Sequence, residues 1–307
     1  MPQGLNATPQ NYQSEVWSSI GAGLSVWVRP RGHTMAMIFA LGGGGPGGVG
    51  AIGTNSNAAA GAGGASGNQS RLIIPLYLVS PVLYVTTPSP AISSNGGVAR
   101  VSIEPDSVVN HQLLIATGGG IGGDAVGATP GNGGAVVATD SLATCPLAGL
   151  GVAMFRNAQS GTAGGDGVTA PANLILPTNS LVVTGGCGAG GLPAAATAGT
   201  TGASLSVPPA PSQFPPLSGG VGSATATNPA APGDHGYNFV AAGLGYFYGG
   251  CGSASTHGTA TGGGLVQGRG GNGGIGCGGG ASGGALTGST ASVRALGGAA
   301  AVWIISW

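Results

Sequence analysis

The stretch LGGGGPGGVGAIGTN, residues 41–55, decides how this chain can fold. Read in threes from residue 44, it has a glycine at the first position of every triplet: Gly44, Gly47, Gly50 and Gly53. A period of three fits neither an α-helix nor a β-strand. It matches the polyproline II conformation, which has three residues per turn and no internal hydrogen bonds. The backbone N–H and C=O groups of such a segment must therefore pair with neighbouring segments.

Similar glycine units recur along the chain, and most of them directly follow an apolar run such as MAMIFAL or QLLIAT. They lie at residues 119–122, 185–188, 219–222 and 249–252, and the longest copy, residues 270–278, has the triplet openers Gly270, Gly273 and Gly276. The spacing between the units is irregular, so the chain is not a solenoid of fixed period. We interpret it as one β scaffold with a bundle of polyglycine helices at one end.

The composition excludes several classes of protein. The 307 residues include 68 glycines and 21 prolines, but 42% are hydrophobic and only 5% are charged, which is the opposite of a disordered chain. There is no lysine and the formal net charge is zero, which argues against a nucleic-acid partner. No apolar run reaches the roughly 18 residues of a membrane span, so no membrane insertion is expected. So few charges also predict a surface that is partly covered within an assembly.

The rest of the chain is interpreted as an arm and one domain. Residues 1–20 are polar and aperiodic and predict an N-terminal attachment arm anchored by Tyr12 and Trp17, and residues 21–307 predict a single domain. Strands are predicted at residues 24–28, 34–41, 71–79, 82–86, 98–103, 111–117, 173–176, 181–184, 238–248, 292–296 and 300–306, and the one candidate helix at residues 147–156. Many short strands with glycine and proline turns predict an all-β sandwich.

Two aromatic residues mark the last predicted strand, which contains Trp303 and is followed by Trp307. An exposed strand of this composition would aggregate, so it must be paired in a sheet or an interface. The four cysteines, Cys145, Cys187, Cys251 and Cys277, have neither CxxC pairing nor zinc spacing. We interpret them as free thiols in small apolar positions, and a disulfide between two glycine helices is the alternative.

No catalytic constellation is recognisable, and no cofactor or metal site is expected. The match Gly118-x-Gly120-x-x-Gly123 lacks the βαβ context of a dinucleotide-binding site. Glu104 and Asp106 are interpreted as turn formers rather than as a pair of glycosidase acids. The chain is therefore predicted not to be an enzyme.

One segment carries a family resemblance. Residues 24–45 read LSVWVRPRGHTMAMIFALGGGG, with a turn Trp27-x-x-Pro30-x-Gly32, an alternating strand and then a glycine run. This order resembles the start of the glycine-rich domain of bacteriophage tail-fibre proteins. The likeness continues through residues 83–86, 115–120 and 273–280 to the last strand, and covers roughly residues 24–307. More distantly, the chain is similar to the glycine-rich region of anaplastic lymphoma kinase-type receptors.

The resemblance implies a jelly-roll or tumour-necrosis-factor-like sandwich and a homo-oligomer, most simply a trimer. It also implies a structural virion protein at the surface of a phage tail or capsid. Such a protein would be a receptor-binding tail fibre or tip, or a decoration protein. The alternative is a non-viral extracellular filament or surface-layer subunit.

Two kinds of contact are expected in such a particle. The arm at residues 1–20 would bind other virion proteins, and the loops between glycine helices would touch a glycan or protein of the host surface. The nominated loops are residues 54–60, 124–132, 194–201, 224–235 and 253–260, with the polar candidates Asn55, Asn57, Asp124, Asn132, Asn228, Asp234, His235 and His257. The alternative is that these loops are only solvated connections.

Overall fold

The computed structural model describes residues 14–53, 57–106, 108–136, 151–156, 158–175, 183–192, 199–206, 217–222, 230–236, 238–241, 244–247, 249–255 and 266–307. Almost all of these residues lie in strands, turns or extended segments. The helical residues among them form two single 3-10 turns, Leu76–Leu78 and Val109–His111. The described part of the chain is therefore all-β, as predicted.

The larger of two main sheets has five antiparallel strands. They are β1 (Glu15–Ile20), β3 (Met35–Leu41), β5 (Gln69–Pro75), β9 (Val152–Arg156) and β15 (Ala301–Ser306). Their order across the sheet is β1-β15-β3-β5-β9. The last strand is thus paired on both sides, with β1 and with β3, which satisfies the backbone of this strongly apolar segment.

The second main sheet has four antiparallel strands. They are β2 (Gly23–Val28), β6 (Val82–Thr87), β7 (Ala99–Ser102) and β8 (Gln112–Ala116), in the order β2-β6-β7-β8. These strands lie where the apolar runs of the sequence predict them.

The two sheets enclose one apolar core. Alternate residues of each strand face it: in β3, Ala36, Ile38 and Ala40 are buried, whereas Met37 and Phe39 on the opposite face are only half-buried. Trp27 of β2 also lies in this core. Each fully buried large apolar side chain contributes about 1.5–3 kcal/mol to folding. Further members from both sheets are Leu72, Ile74, Leu83, Val85, Val101, Leu114, Val302 and Ile304.

Six shorter strands lie in the glycine-rich part. They are β4 (Ile52–Gly53), β10 (Leu174–Ile175), β11 (Leu205–Ser206), β12 (Asn238–Ala241), β13 (Leu244–Phe247) and β14 (Ala285–Leu286). β4 pairs with β14 and β10 with β11, both in parallel, and β12 pairs with β13 in an antiparallel hairpin.

Most of the glycine-rich residues are paired by backbone hydrogen bonds that have a period of three. Consecutive residues of segment 61–66 donate their N–H groups to three different segments in turn, and every third residue returns to the same segment. The donor–acceptor pairs are Gly61–Ser282, Gly64–Gly279, Ala62–Gly123, Ala65–Gly120, Gly63–Thr162 and Ser66–Gln159, with N···O distances of 2.9–3.1 Å. A β-ladder would instead return to the same neighbour at every second residue.

The segment at residues 58–67 lies in the middle of this bundle. It contains only alanine, glycine and serine, and every one of its residues is buried. Its backbone is hydrogen-bonded to six other segments, at residues 42–51, 119–125, 131–135, 159–165, 186–192 and 276–285. Such close packing leaves little room for side chains: a Cβ at Gly47 would overlap the carbonyl oxygen of Gly280, and one at Gly44 that of Cys277.

Four expectations are corrected by the structure. The first concerns residues 270–278, which are not one continuous helix, because the chain reverses at Ile275 and Gly276. Gly276 has φ +71°, and Gly280 then donates back to Gly271. Glycine adopts this left-handed conformation at little cost, so the same residue type that extends the triplet register also ends it.

The second correction is the predicted helix at residues 147–156. Its described part is the edge strand β9, because pairing with β5 outweighs a weak local preference for helix. Third, residues 292–296 are not a strand. Ala295 and Leu296 accept hydrogen bonds from Gly47 and Gly273, which lie in two different segments, so no ladder forms.

The fourth correction is the arm. Residues 15–20 of the predicted arm form β1, which pairs with β15 over six residues. The regular alternation expected of a strand is hidden there by the serines at positions 18 and 19. Trp17 packs partly against the sheet core.

Candidate functional site

The glycine bundle has a base at the sheets and a tip at the opposite end. β3 and β8 run directly into glycine-rich segments at Gly42 and Gly118, which marks the base. Hydrogen bonds from Ala51 to Ala59, from Ala59 to Gly127 and from Leu192 to Ala58 lie at the other end. We call this end the bundle tip, and its described residues are 51–53, 57–59, 124–130, 165–171, 190–192, 199–201 and 284–291.

Exposed apolar side chains are a prominent feature of the tip. Val126 and Val168 are 77% and 76% exposed, and Ile52 is 41% exposed. Val126 and Thr129 exchange backbone hydrogen bonds across a tight turn, which holds the Val126 side chain outward on a rigid support. Because each loop starts and ends in a hydrogen-bonded segment, the tip can present small apolar and backbone groups to a ligand with little loss of entropy.

An ion pair between a carboxylate and a guanidinium group stiffens one side of the tip. Asp124 accepts a hydrogen bond from the backbone N–H of Val49 at 2.7 Å and forms an ion pair with Arg294. Asp124 was a candidate for receptor contact, and the structure gives it partners within the bundle.

A second carboxylate shapes the neighbouring loop. The Oδ1 atom of Asp166 accepts hydrogen bonds from the backbone N–H groups of Thr169 and Val168, at 2.7 and 2.9 Å. These two bonds, that from Thr169 first, lower the pKa of Asp166 below its ordinary value of 3.8. The loop is therefore shaped by an ionised aspartate.

Gln267 is a buried polar residue that the sequence analysis did not single out. Its Nε2 atom donates to the carbonyl oxygens of Gly50 and Gly283, and its Oε1 atom accepts from the N–H of Ser292. One side chain thus joins three segments of the bundle near the tip. The feature of the sequence that could have pointed to Gln267 is a single long amide side chain within a tract of small residues.

The other nominated polar residues are dispersed. Asn57 lies at the tip and Asn132 is exposed on the side of the bundle. Asp234 and His235 lie closer to the base, where Asp234 accepts from the N–H of Ser218 and His235 accepts from the N–H of Asn272. Tyr12, Asn55, Asn228 and His257 lie outside the described residues. The structure therefore brings Asn57 and Asp124 to the same end of the bundle, but not Asp234 or His235.

The tryptophans and the glycine openers have structural positions. Trp303 faces outward beside Phe39, with ring centroids 5.5 Å apart, and Trp307 is partly exposed after the last strand. Gly53 is buried in β4. A Cβ would also overlap backbone atoms at Gly50, Gly270 and Gly273.

One acidic cluster lies at the end of the sheets opposite the bundle. His111 Nδ1 is 2.9 Å from Asp106 Oδ2 and 3.7 Å from Glu104 Oε2. Asp106 also accepts the N–H of Val108, as expected of a turn former. The ligand atoms of the three residues lie within 4.8 Å of one another, so they could approach a metal ion, but Glu104 and Asp106 are exposed and their contacts are those of a capped turn.

The three described cysteines are free and buried, as predicted. The neighbouring thiol of Cys251 and burial raise the pKa of Cys187. Burial alone raises the pKa of Cys277. Such thiols are poor nucleophiles, because the reactive species is the thiolate. Cys145 lies outside the described residues.

One serine–histidine contact occurs at the far end of the sheets, where His33 Nδ1 is 2.8 Å from Ser306 Oγ. It ties the turn before β3 to the end of β15. No carboxylate contact to His33 is found in the described part of the chain, so the contact lacks the third group of a catalytic triad there.

In comparisons with known proteins, no family model matches the chain and no curated protein is significantly similar to it. In the ranges that the structure describes, there is no helix of the length and apolarity that crossing a membrane requires.

Proposed function

We propose that the glycine-rich segments form a bundle of polyglycine II helices. Three observations support this proposal: the three-residue period of hydrogen-bond partners, the six neighbours of segment 58–67, and the backbone contact at the triplet glycines. A helix of three residues per turn directs successive N–H groups about 120° apart, toward three neighbours in turn. No other regular backbone conformation has this pattern.

The two-sheet domain is proposed to be of the jelly-roll or tumour-necrosis-factor-like class. The position of the last strand between the first and the third, with every pairing antiparallel, supports the proposal. The second sheet differs from two interlocked Greek keys, because β6, β7 and β8 follow one another as a meander.

The function that this architecture supports best is that of a structural bacteriophage virion protein that presents the bundle tip to the host surface. The observation that carries this proposal is the polarity of the molecule. Glu15 and Ser306 pair at the end of the sheets farthest from the bundle, so β1 begins there. A molecule attached to a particle at that end would point the tip outward.

The tip has the properties of a recognition surface rather than of a catalytic one. Its loops are fixed by backbone hydrogen bonds on both sides, and its described exposed groups are mostly small, apolar or hydroxyl-bearing. The two exposed carboxylates, Asp124 and Asp166, are held by partners within the bundle. Receptor-binding loops on a rigid scaffold follow the same principle. We propose no catalytic activity for the protein.

Immunogold labelling tests the virion role. Antibodies raised against the purified protein should decorate phage particles produced with the gene that encodes this chain, on the tail or the capsid surface. Particles that lack the protein by mass spectrometry, while the protein occurs in bacterial filaments or a surface layer, would overturn the proposal and favour the non-viral alternative.

Host contact is tested separately. Replacing Val126 and Val168 by serine should leave the fold intact, because both side chains are exposed, and should slow phage adsorption. The matched control is Val28→Ser, a 62% exposed valine of β2, away from the tip. Unchanged adsorption in the double variant would favour a decoration protein over a receptor-binding one.

A further inference from the structure

The outward face of the five-stranded sheet has one row of side chains that is apolar from edge to edge. One cross-strand row on this face contains, in order, Val16, Ile305, Met37, Ile73 and Val152, each in register with the next. The valines at the two edges are 62% and 65% exposed, and the three residues between them are half-buried by their neighbours. An antiparallel sheet with one face in water normally carries polar side chains there, so this face has the composition of a covered one.

The adjacent row is also mainly apolar. It contains Ser18, Trp303, Phe39, Arg71 and Met154, and Arg71 is the one charged residue in the two rows. On the bundle side, Ile275 and Val183 belong to the cluster that includes Phe39 and Trp303. The part of the face near the bundle is thus covered within the chain, and the part farther from the bundle remains open.

The first row is symmetrical about the central strand. Its order is Val-Ile-Met-Ile-Val, with Met37 of β3 in the middle. A twofold axis parallel to the strands would place β9 of a second copy over β1, and β5 of that copy over β15. Each valine would then meet a valine and each isoleucine an isoleucine. An isologous contact requires such self-complementarity, because the same patch forms both sides.

Within the chain, the Nε–H of Arg71 donates a hydrogen bond to the Met37 sulfur, and the same operation gives its guanidinium group a second contact. Arg71 lies on β5, and its register neighbour two strands away is Trp303 of β15. Placing β5 of the second copy over β15 sets its guanidinium group over the indole of Trp303. Arginine packs favourably on the face of tryptophan, so the dimer would not bury an unpaired charge.

The size of the face is sufficient for a stable contact. The two rows of five residues and a third, farther from the bundle, of Trp307, Met35 and Pro75, at spacings of about 4.8 Å between strands and 6.7 Å between rows, cover roughly 420 Å² in projection. Because side chains make the surface uneven, its accessible area is larger than this projection and approaches the roughly 600 Å² per partner at which stable interfaces begin. The first row carries no charge, which matches the apolar centre of interfaces between identical subunits, and Arg156 lies on the same face at its edge beside the bundle.

We propose that this face is the contact between two copies of the chain, packed about a twofold axis that passes close to Met37. The contact does not depend on the virion role and would occur in the isolated protein. It also differs from the trimer that the family resemblance implies, because a closed trimer uses two different surfaces of each copy.

The test introduces charges at the two ends of the symmetrical row. In sedimentation at micromolar concentration, the wild type should have twice the chain mass of 28.7 kDa. Val16→Lys and Val152→Glu should each weaken the dimer about 10- to 100-fold. Mixing the two variants should restore dimers, because the introduced lysine of one then faces the introduced glutamate of the other.

The control is Val126→Lys, which alters an exposed valine at the bundle tip and should leave the dimer intact. Circular dichroism should show native folding of all the variants; if either test variant fails to fold, the pair Ser18→Lys and Met154→Glu, which the same axis brings together, replaces both. A monomeric or trimeric wild type, dimers unaffected by both test variants, or a mixture that stays monomeric would each overturn the proposal.

Discussion

In the two-sheet domain, the interior is made of large side chains such as Trp27, Ile38 and Leu72, whereas in the glycine bundle most buried residues are small, such as Ala58, Gly61 and Gly64. The sheets are held together by apolar burial between layers about 10 Å apart. The bundle is held by hydrogen bonds between backbones that touch, with almost no side-chain volume between them. The two regions should therefore respond in opposite ways to a change in side-chain size.

This difference has a consequence for the loops. In most domains, loops are connected to strands or helices whose sides carry side chains. Here, loops such as the turn at Val126 and Thr129 join segments with bare sides. Loop composition can vary at the tip while the segments behind it remain glycine and alanine.

The largest effect is expected from Gly47→Val. The new side chain would occupy the position of the Gly280 carbonyl oxygen, and backbone cannot move aside without breaking neighbouring hydrogen bonds. We expect a loss above about 4–5 kcal/mol, enough to abolish folding. Soluble yield and circular dichroism measure it, with the exposed Ala128→Val as the matched control. A soluble variant that melts like the wild type would show that the bundle has room for a side chain at this position.

Deleting side-chain volume should have the next largest effect, and only in the sheets. Leu72→Ala leaves a cavity in the core and should cost about 2–5 kcal/mol. Urea unfolding measures the loss, and Val28→Ala, at a 62% exposed position of β2, should change stability by less than about 1 kcal/mol. Equal losses at both positions would show that the core between the sheets is not the source of stability.

Gln267→Leu tests the contribution of side-chain hydrogen bonds to the bundle, because it removes these bonds without adding a branch at Cβ. The carbonyl groups of Gly50 and Gly283 would lose their side-chain donor, at a cost of about 1–3 kcal/mol. The control Asn132→Ala removes an exposed amide and should change stability by less than about 0.5 kcal/mol. An unchanged thermal midpoint in the leucine variant would contradict the role given to Gln267.

The smallest effect concerns Asp166 and pH. Its pKa is lowered in the folded state, so the stability that it contributes is present above its ordinary value of 3.8 and is lost as the pH falls through the folded pKa. The carboxylate is exposed and its contribution is small. An NMR titration should place the Asp166 pKa below 3.8, and Asp166→Asn should remove this part of the acid dependence. A titration at or above 3.8 would be inconsistent with the two backbone hydrogen bonds.

Local pattern predicted most of the strands of the two main sheets. Alternation in MAMIFAL and in residues 82–86 indicates one buried face, and the turn residues Pro30 and Gly32 end the preceding strand. The edge strands β1 and β9 were missed, because edge strands are held by pairing with a neighbour rather than by a strong pattern of their own. The candidate contacts were predicted only in part, since Asp124 and Asp234 were known as exposed polar residues but not as residues with partners inside the bundle.

By itself, the sequence determined that strands are followed directly by glycine triplets, because the period of three from Gly44 and the apolar runs before most units are local properties. Only the tertiary structure decided which glycine segments are neighbours and where the register is broken. Every such segment offers the same N–H and C=O groups, so backbone pairing alone cannot distinguish one partner from another. The reversal at Gly276 and the six neighbours of segment 58–67 are therefore set by the lengths of the connections and by the two sheets that anchor the segments at Gly42 and Gly118.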